Sequence, residues 1–176
     1  MRLIAHNIRS MHNIGAILRS ADAFGVERVY LTGYTATPPR KEIAKTALGA
    51  EDRVLWEYHI DPLPLMAQLK QQGWTILALE NGREAMPLSD ALRHVHPERT
   101  VLLLGNEVEG VVPDVLAICD QIVEIILPGR KRSLNVSVAA GIALFVVAAE
   151  NGYHVGNVER PPGQRAPARP TFRSDG

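Results

Sequence analysis

Short apolar runs alternate with helix-period segments along this chain, and that alternation restricts its fold more than any other feature. The runs are Leu3–Ala5, Arg28–Leu31, Val54–Tyr58, Thr75–Leu79, Val101–Leu104 and Ile122–Leu127. Most are rich in Val, Ile or Leu, as strands covered on both faces are. Between them the spacing predicts helices over Asn13–Phe24, Lys41–Ala47, Leu63–Gln72, Pro113–Cys119 and Leu134–Glu150. Strands and helices taking turns in this way predict an α/β domain, a mostly parallel sheet with helices on both faces.

Two of these helices are informative in themselves. In the first, Ile14, Ile17, Leu18, Ala21 and Phe24 form one stripe, while Arg19 and Asp22 lie on another face. Asn13 is suited to cap it, Gly15 leaves room for a close backbone approach, and Gly25 is its stop signal. In the last, Val136, Val138, Ala139, Ile142, Leu144, Phe145 and Val146 surround the axis. A helix apolar all round must be enclosed, and the reading favoured is enclosure by both the core and a second subunit. Residues 1–154 read as the folded domain. Residues 155–176, rich in Pro and Arg, have little to bury and read as a disordered tail. Arg160, Arg165, Arg169 and Arg173 make it a solvated segment or, on a sharper reading, an arm that contacts phosphates.

Charge and cysteine content exclude several classes. Nineteen Lys and Arg balance nineteen Asp and Glu, so no global basic charge announces a nucleic-acid partner, and any such surface must be local. The single cysteine, Cys119, leaves no intramolecular disulfide and suits a reducing compartment. No metal is expected: the histidines form no H-E-x-x-H pattern, and His94 and His96 would point apart on a helix. The N-terminus lacks a signal-peptide core, and the uncharged stretch Ser133–Ala149 is shorter than the ~20 residues of a spanning helix. No membrane partner and a cytoplasmic location follow as expectations.

Polar residues gather at three places where an α/β domain builds its sites, just past strand ends. The first is HNIRSMHNIGAILRSADAFG, in which Arg19 reads more readily as a surface or salt-bridging residue than as a catalytic one. In VLLLGNEVEGVVPD the apolar strand ends in Gly105-Asn106-Glu107. That turn is either a plain β-to-α connection or a place where a flat ligand lies against glycine backbone, with Asn and Glu as hydrogen-bond partners. LPGRKRSLNVSVAAG is the third, where Arg130, Lys131 and Arg132 run into Ser133 and Asn135, both capping types. Free amides and the positive end of the helix dipole there favour an anionic or acceptor-rich ligand.

Taken together, NIGAILRSADAFG, LLLGNEVEG and IILPGRKRSLNVSVAAGIALF resemble, in order and spacing, the three signature motifs of the SpoU/TrmH-type RNA 2′-O-ribose methyltransferases of the SPOUT superfamily. The likeness runs from about Asn7 to Glu150. It implies a C-terminal trefoil knot, a homodimer with sites near the subunit interface, S-adenosylmethionine as methyl donor, and RNA as substrate; transfer RNA, which fits a compact chain without an accessory domain, is expected ahead of ribosomal RNA. By position, Arg19 and Asn13 match the first motif, Glu107 the second, and Ser133 and Asn135 the third, as the catalytic set. The cofactor is implied to lie against Leu79, Gly105, Asn106, Ile125, Leu127, Ser133 and Leu134. The chain departs from the family in reading Ile125-Ile126-Leu127-Pro128 where Ile-Pro-Met is common. The accessory RNA-binding domain of many relatives is not in this sequence, so RNA contacts are expected from the catalytic domain, its partner or the tail. A rival with the same fold is an RNA-binding dimer that has lost catalysis. An arginine cannot serve as a free general base, because guanidinium stays protonated below pH ~12. The role that suits Arg19 is a bidentate grip on a phosphate that eases the developing alkoxide.

Overall fold

The computed structural model describes residues 1–152 of the 176. Among them, seven strands build one sheet: β1 (Arg2–His6), β2 (Val29–Thr32), β3 (Trp56–His59), β4 (Thr75–Leu79), β5 (Met86–Pro87), β6 (Thr100–Leu104) and β7 (Gln121–Glu124). Their order is β3-β2-β1-β6-β4-β7-β5, and every pairing is parallel. The helices are α1 (Met11–Ala23), α2 (Lys41–Ala47), α3 (Pro62–Gln71), α4 (Leu88–Leu92), α5 (Pro113–Leu116) and α6 (Val136–Glu150).

Strand side chains alternate between two cores, as the period of two requires. Leu3, Ala5, Leu77, Leu102 and Leu104 pack with α1, α2, α4 and α6. Ile4, Ile76, Ala78, Val101 and Leu103 pack with α3 and α5 on the opposite face. The expected α/β architecture is therefore the observed one, and the bounds of α2 and β4 coincide with those the sequence predicts. β5 and α4 were not predicted, because two and five residues are too few to carry a period. β7 ends at Glu124, short of the expected Leu127, and α5 ends at Leu116, short of Cys119. The stretch 155–176, expected to be a disordered tail, lies outside the described residues.

Local chemistry explains how α1 and α6 begin. Ser10, rather than Asn13, caps α1, its hydroxyl accepting the Asn13 backbone N–H at 3.3 Å. Asn13 sits one turn inside, which frees its amide for other partners. Gly15 is needed where α1 meets α2, since a Cβ there would overlap the Thr46 hydroxyl and the Ile43 carbonyl. Asn135 caps α6 by accepting from the Ser137 N–H at 2.8 Å, so the helix starts at Val136, two residues later than expected. Ala140, Ala143, Leu144 and Val147 turn into the core. Val138, Ile142 and Phe145, at 50%, 37% and 46% exposure, leave an apolar stripe uncovered on the other side. Among the described residues, no helix is long and apolar enough to cross a membrane.

Candidate active site

The chain steps outward from β1 to β2 and β3 on one side of the sheet, while β6 leads through α5 to β7 on the other. The loops leaving β1 and β6 emerge side by side at the carboxyl edge of the sheet, where open α/β sheets bind ligands. A cavity of about 500 Å³ lies beside it, lined from three sides. Leu79, Glu80 and Asn81 come from the end of β4 and the loop after it, Leu104 to Val108 and Gly110 from the end of β6 and its loop, and Ser133 to Val136 with Ala139 from the entry and first turns of α6. Its volume and mixed apolar and polar wall are those of a small-organic-ligand site.

Glu107 holds the mouth together. Its carboxylate accepts the backbone N–H groups of Arg9 (2.9 Å) and Ser10 (3.1 Å) and the Asn13 side-chain amide (2.9 Å). Partial burial pushes its pKa up, but these hydrogen bonds outweigh that effect and hold the carboxyl below the usual carboxylate range. The other end of the Asn13 amide accepts from Asn135 Nδ2 at 3.2 Å. Three polar clusters far apart in sequence therefore meet in one hydrogen-bonded chain, Glu107–Asn13–Asn135. An ionised carboxylate already accepting three N–H groups is a clasp, with little capacity left to take a proton.

Asn106 is buried beside it, and all of its polar atoms are engaged. The side-chain amide donates to the Asn7 carbonyl (2.9 Å) and the Tyr34 hydroxyl (2.6 Å), and its oxygen accepts from Val108 and Glu109 N–H (2.8 Å each). Its backbone pairs with Gly110 in both directions at 3.0 Å. Asn106 thus offers the cavity shape more than hydrogen bonds. Gly105 is required by this turn itself, since a Cβ there would press on the Gly110 carbonyl at 2.7 Å. That is a tighter demand than the flat-ligand reading of the same glycine.

Of the residues implied as cofactor-binding, Leu79, Gly105, Asn106, Ser133 and Leu134 line the cavity, whereas Ile125 and Leu127 do not. Of those implied as catalytic, Asn13, Glu107 and Asn135 are bonded together and Ser133 stands exposed on the cavity wall. Arg19 is separate, exposed on α1 almost two turns beyond Asn13, and among the described residues it has no carboxylate within ion-pair distance. Sequence reasoning missed Glu80 and Asn81. Glu80 accepts from Val111 N–H at 2.9 Å, and Asn81 donates to the Arg132 carbonyl at 2.8 Å, so the loop after β4 braces both other walls. Their signal was present in TILALENG, an apolar strand ending in polar residues and glycine like the one at Gly105.

Residues fit for S-adenosylmethionine are present in this cavity. Leu79, Leu104 and Leu134 offer apolar walls to a heterocycle, and Glu80, Asn81 and Ser133 offer polar atoms to a ribose or an amino acid group.

Comparison with known proteins agrees with the geometry. Residues 1–145 match the SpoU rRNA Methylase family. The tRNA (guanosine(18)-2′-O)-methyltransferase of Aquifex aeolicus is 33% identical over 144 residues, covering 81% of this chain and 66% of that protein. The crystal structure of the A. aeolicus TrmH/SpoU tRNA modifying enzyme superposes with a TM-score of 0.75 at 30% identity, over 85% of this chain and 74% of that one. AviRb from Streptomyces viridochromogenes, in complex with the cofactor AdoMet, shares the fold with a TM-score of 0.78 at 22% identity, over 88% of this chain and 61% of that one. The chain spans between about half and two thirds of the length of the curated relatives it matches first. With a parallel α/β sheet, three polar segments joined at its carboxyl edge and a family match over most of its length, this chain belongs to the SpoU rRNA methylase family.

Proposed function

We propose that this chain is an RNA methyltransferase that moves a methyl group from S-adenosylmethionine to a ribose 2′-hydroxyl. The observation that carries the proposal is the Glu107–Asn13–Asn135 chain at the mouth of a cavity walled by Leu79, Gly105 and Leu134. The cofactor, when bound, supplies a methyl group already activated on a sulfonium. What remains for the protein is placement, the larger part of the work when the donor is activated.

The chain's own residues divide that work. Glu107 fixes the start of α1 against the loop after β6, and Asn13 and Asn135 hold the start of α6 in register with both. Ser133 presents a hydroxyl on the wall. Arg19 grips the phosphate beside the target ribose and lowers the cost of charge on its oxygen. Arg130, Lys131 and Arg132, all exposed, line the approach of the RNA backbone. In this reading a second copy of the chain covers Val138, Ile142 and Phe145, the C-terminal segment is threaded as a trefoil knot, and the enzyme works in the cytoplasm on transfer RNA ahead of ribosomal RNA.

The test uses full-length protein, tritium-labelled S-adenosylmethionine, and unmodified transfer and ribosomal RNA. Wild type is expected to label one of the two pools. Arg19→Ala is expected to lose labelling by at least about 100-fold, as removal of a transition-state donor does, with calorimetric cofactor binding unchanged. Undiminished turnover in Arg19→Ala would remove that residue's role. RNA binding without cofactor binding would replace the enzyme with the inactive RNA-binding dimer.

A further inference from the structure

We propose that Tyr34 is a stacking platform for a nucleobase of the RNA strand at the rim of the site. The nature of the partner rests on the function proposed above; the platform itself rests on geometry. Tyr34 follows β2 and is 57% exposed. A lone exposed tyrosine is ordinary, with a ring that wanders and a hydroxyl in water. This one is tied at both ends. Its backbone N–H donates to Asn7 Oδ1 at 3.1 Å, and its hydroxyl accepts from the buried Asn106 amide at 2.6 Å. What is left open between these two ties is the ring.

The turn that carries it is equally fixed. Gly33 N–H donates to the His59 carbonyl at 3.1 Å, and Thr35 Oγ1 donates to the Ala5 carbonyl at 3.0 Å. Tyr58, on β3 and half exposed, donates its hydroxyl to the Gly33 carbonyl at 2.7 Å and braces the turn from the side. Beneath it, Asn7 Nδ2 meets His6 Nε2 at 3.0 Å, and His6 Nδ1 meets Thr32 Oγ1 at 2.9 Å. Such a network fixes the turn that carries the ring, and a ring already ordered loses little entropy when something stacks on it.

Position and charge identify the occupant. Asn106, which ties the hydroxyl, also lines the cavity, so the ring stands at the edge of the reaction site. Arg9, in the adjoining loop, is exposed, and among the described residues no carboxylate lies within ion-pair distance of it. An exposed aromatic ring with a cation on the neighbouring loop is a pairing by which proteins hold unstacked bases, the ring taking the base and the cation a phosphate.

The experiment compares binding of a fluorescent oligoadenylate of about ten nucleotides with an abasic sugar–phosphate strand of equal length and charge. From the usual strength of base–aromatic stacking, wild type should prefer the oligoadenylate about tenfold. Tyr34→Ala should bind both strands alike while keeping its calorimetric affinity for S-adenosylmethionine. Tyr34→Phe, which keeps the ring, should retain the preference to within about threefold. Equal binding of the two strands by wild type, binding of neither, or an undiminished preference in Tyr34→Ala would each overturn the platform. The labelled-methyl assay run alongside separates the two readings. A base preference without methyl transfer leaves the platform and removes the enzyme; methyl transfer without a base preference does the reverse.

Discussion

Glu107 draws Arg9, Ser10 and Asn13 to itself, and its worth to the fold depends on its charge. Its folded pKa lies below the ordinary value, so its contribution is present above the unfolded carboxylate pKa of ~4.3 and is lost as pH falls through the lower folded value. Glu107→Gln should therefore melt below wild type at pH 7, with the two melting temperatures converging as pH falls below the ordinary carboxylate range. Parallel curves across that range would deny the carboxylate this part. The same residues show what could be read early. Glu107, Asn13 and Asn135 were named by their resemblance to family motifs. That they bond to one another was hidden by separations of 94 and 122 residues. Asn13 was misread as the cap of α1 for a related reason. Ser10 and Asn13 are both capping types, and the path of the loop, pulled over by Glu107, gives the position to Ser10.

Among the elements, α1 packs tightly against α2, and Gly15 permits it. Alanine there would gain up to ~1 kcal/mol of helix propensity. It would also drive a methyl into the Ile43 carbonyl and the Thr46 hydroxyl, an overpacking that costs ~1–3 kcal/mol or more where backbone must move. Gly15→Ala should therefore lower the melting temperature by several degrees. A variant as stable as wild type would mean that α2 moves away freely. The expectation of a close approach at Gly15 was sound because glycine inside a good helical pattern needs a reason. The partner was not legible, because α2 lies about thirty residues away and carries no complementary signature.

Enclosure of α6 is a question for the whole molecule. Its uniform apolar character predicted burial all round, and the single chain buries one face, leaving Val138, Ile142 and Phe145 in the open. Phe145 touches Phe24 edge-on at 6.2 Å between centroids, so the open stripe continues onto the end of α1. Replacing Ile142 and Phe145 together with Glu should turn a wild-type dimer into a monomer in light scattering at micromolar concentration. A wild type that is already monomeric would mean that the stripe is covered in some other way.

At the same scale the origins of this structure separate. The alternation of apolar runs and helix periods determined by itself the α/β class, the order of the longer elements and three of the turns at which polar residues collect. Those are properties of windows of five to fifteen residues, within which side-chain period acts directly. Tertiary structure alone decided that β1 lies beside β6, and with it the meeting of Asn7 with Asn106 and of Asn13 with Glu107. It also tied the Tyr34 hydroxyl to Asn106 and left the ring facing outward. Strand order is set by the packing of whole helices on both faces of the sheet, a balance summed over the entire core, and no local pattern in the chain encodes it.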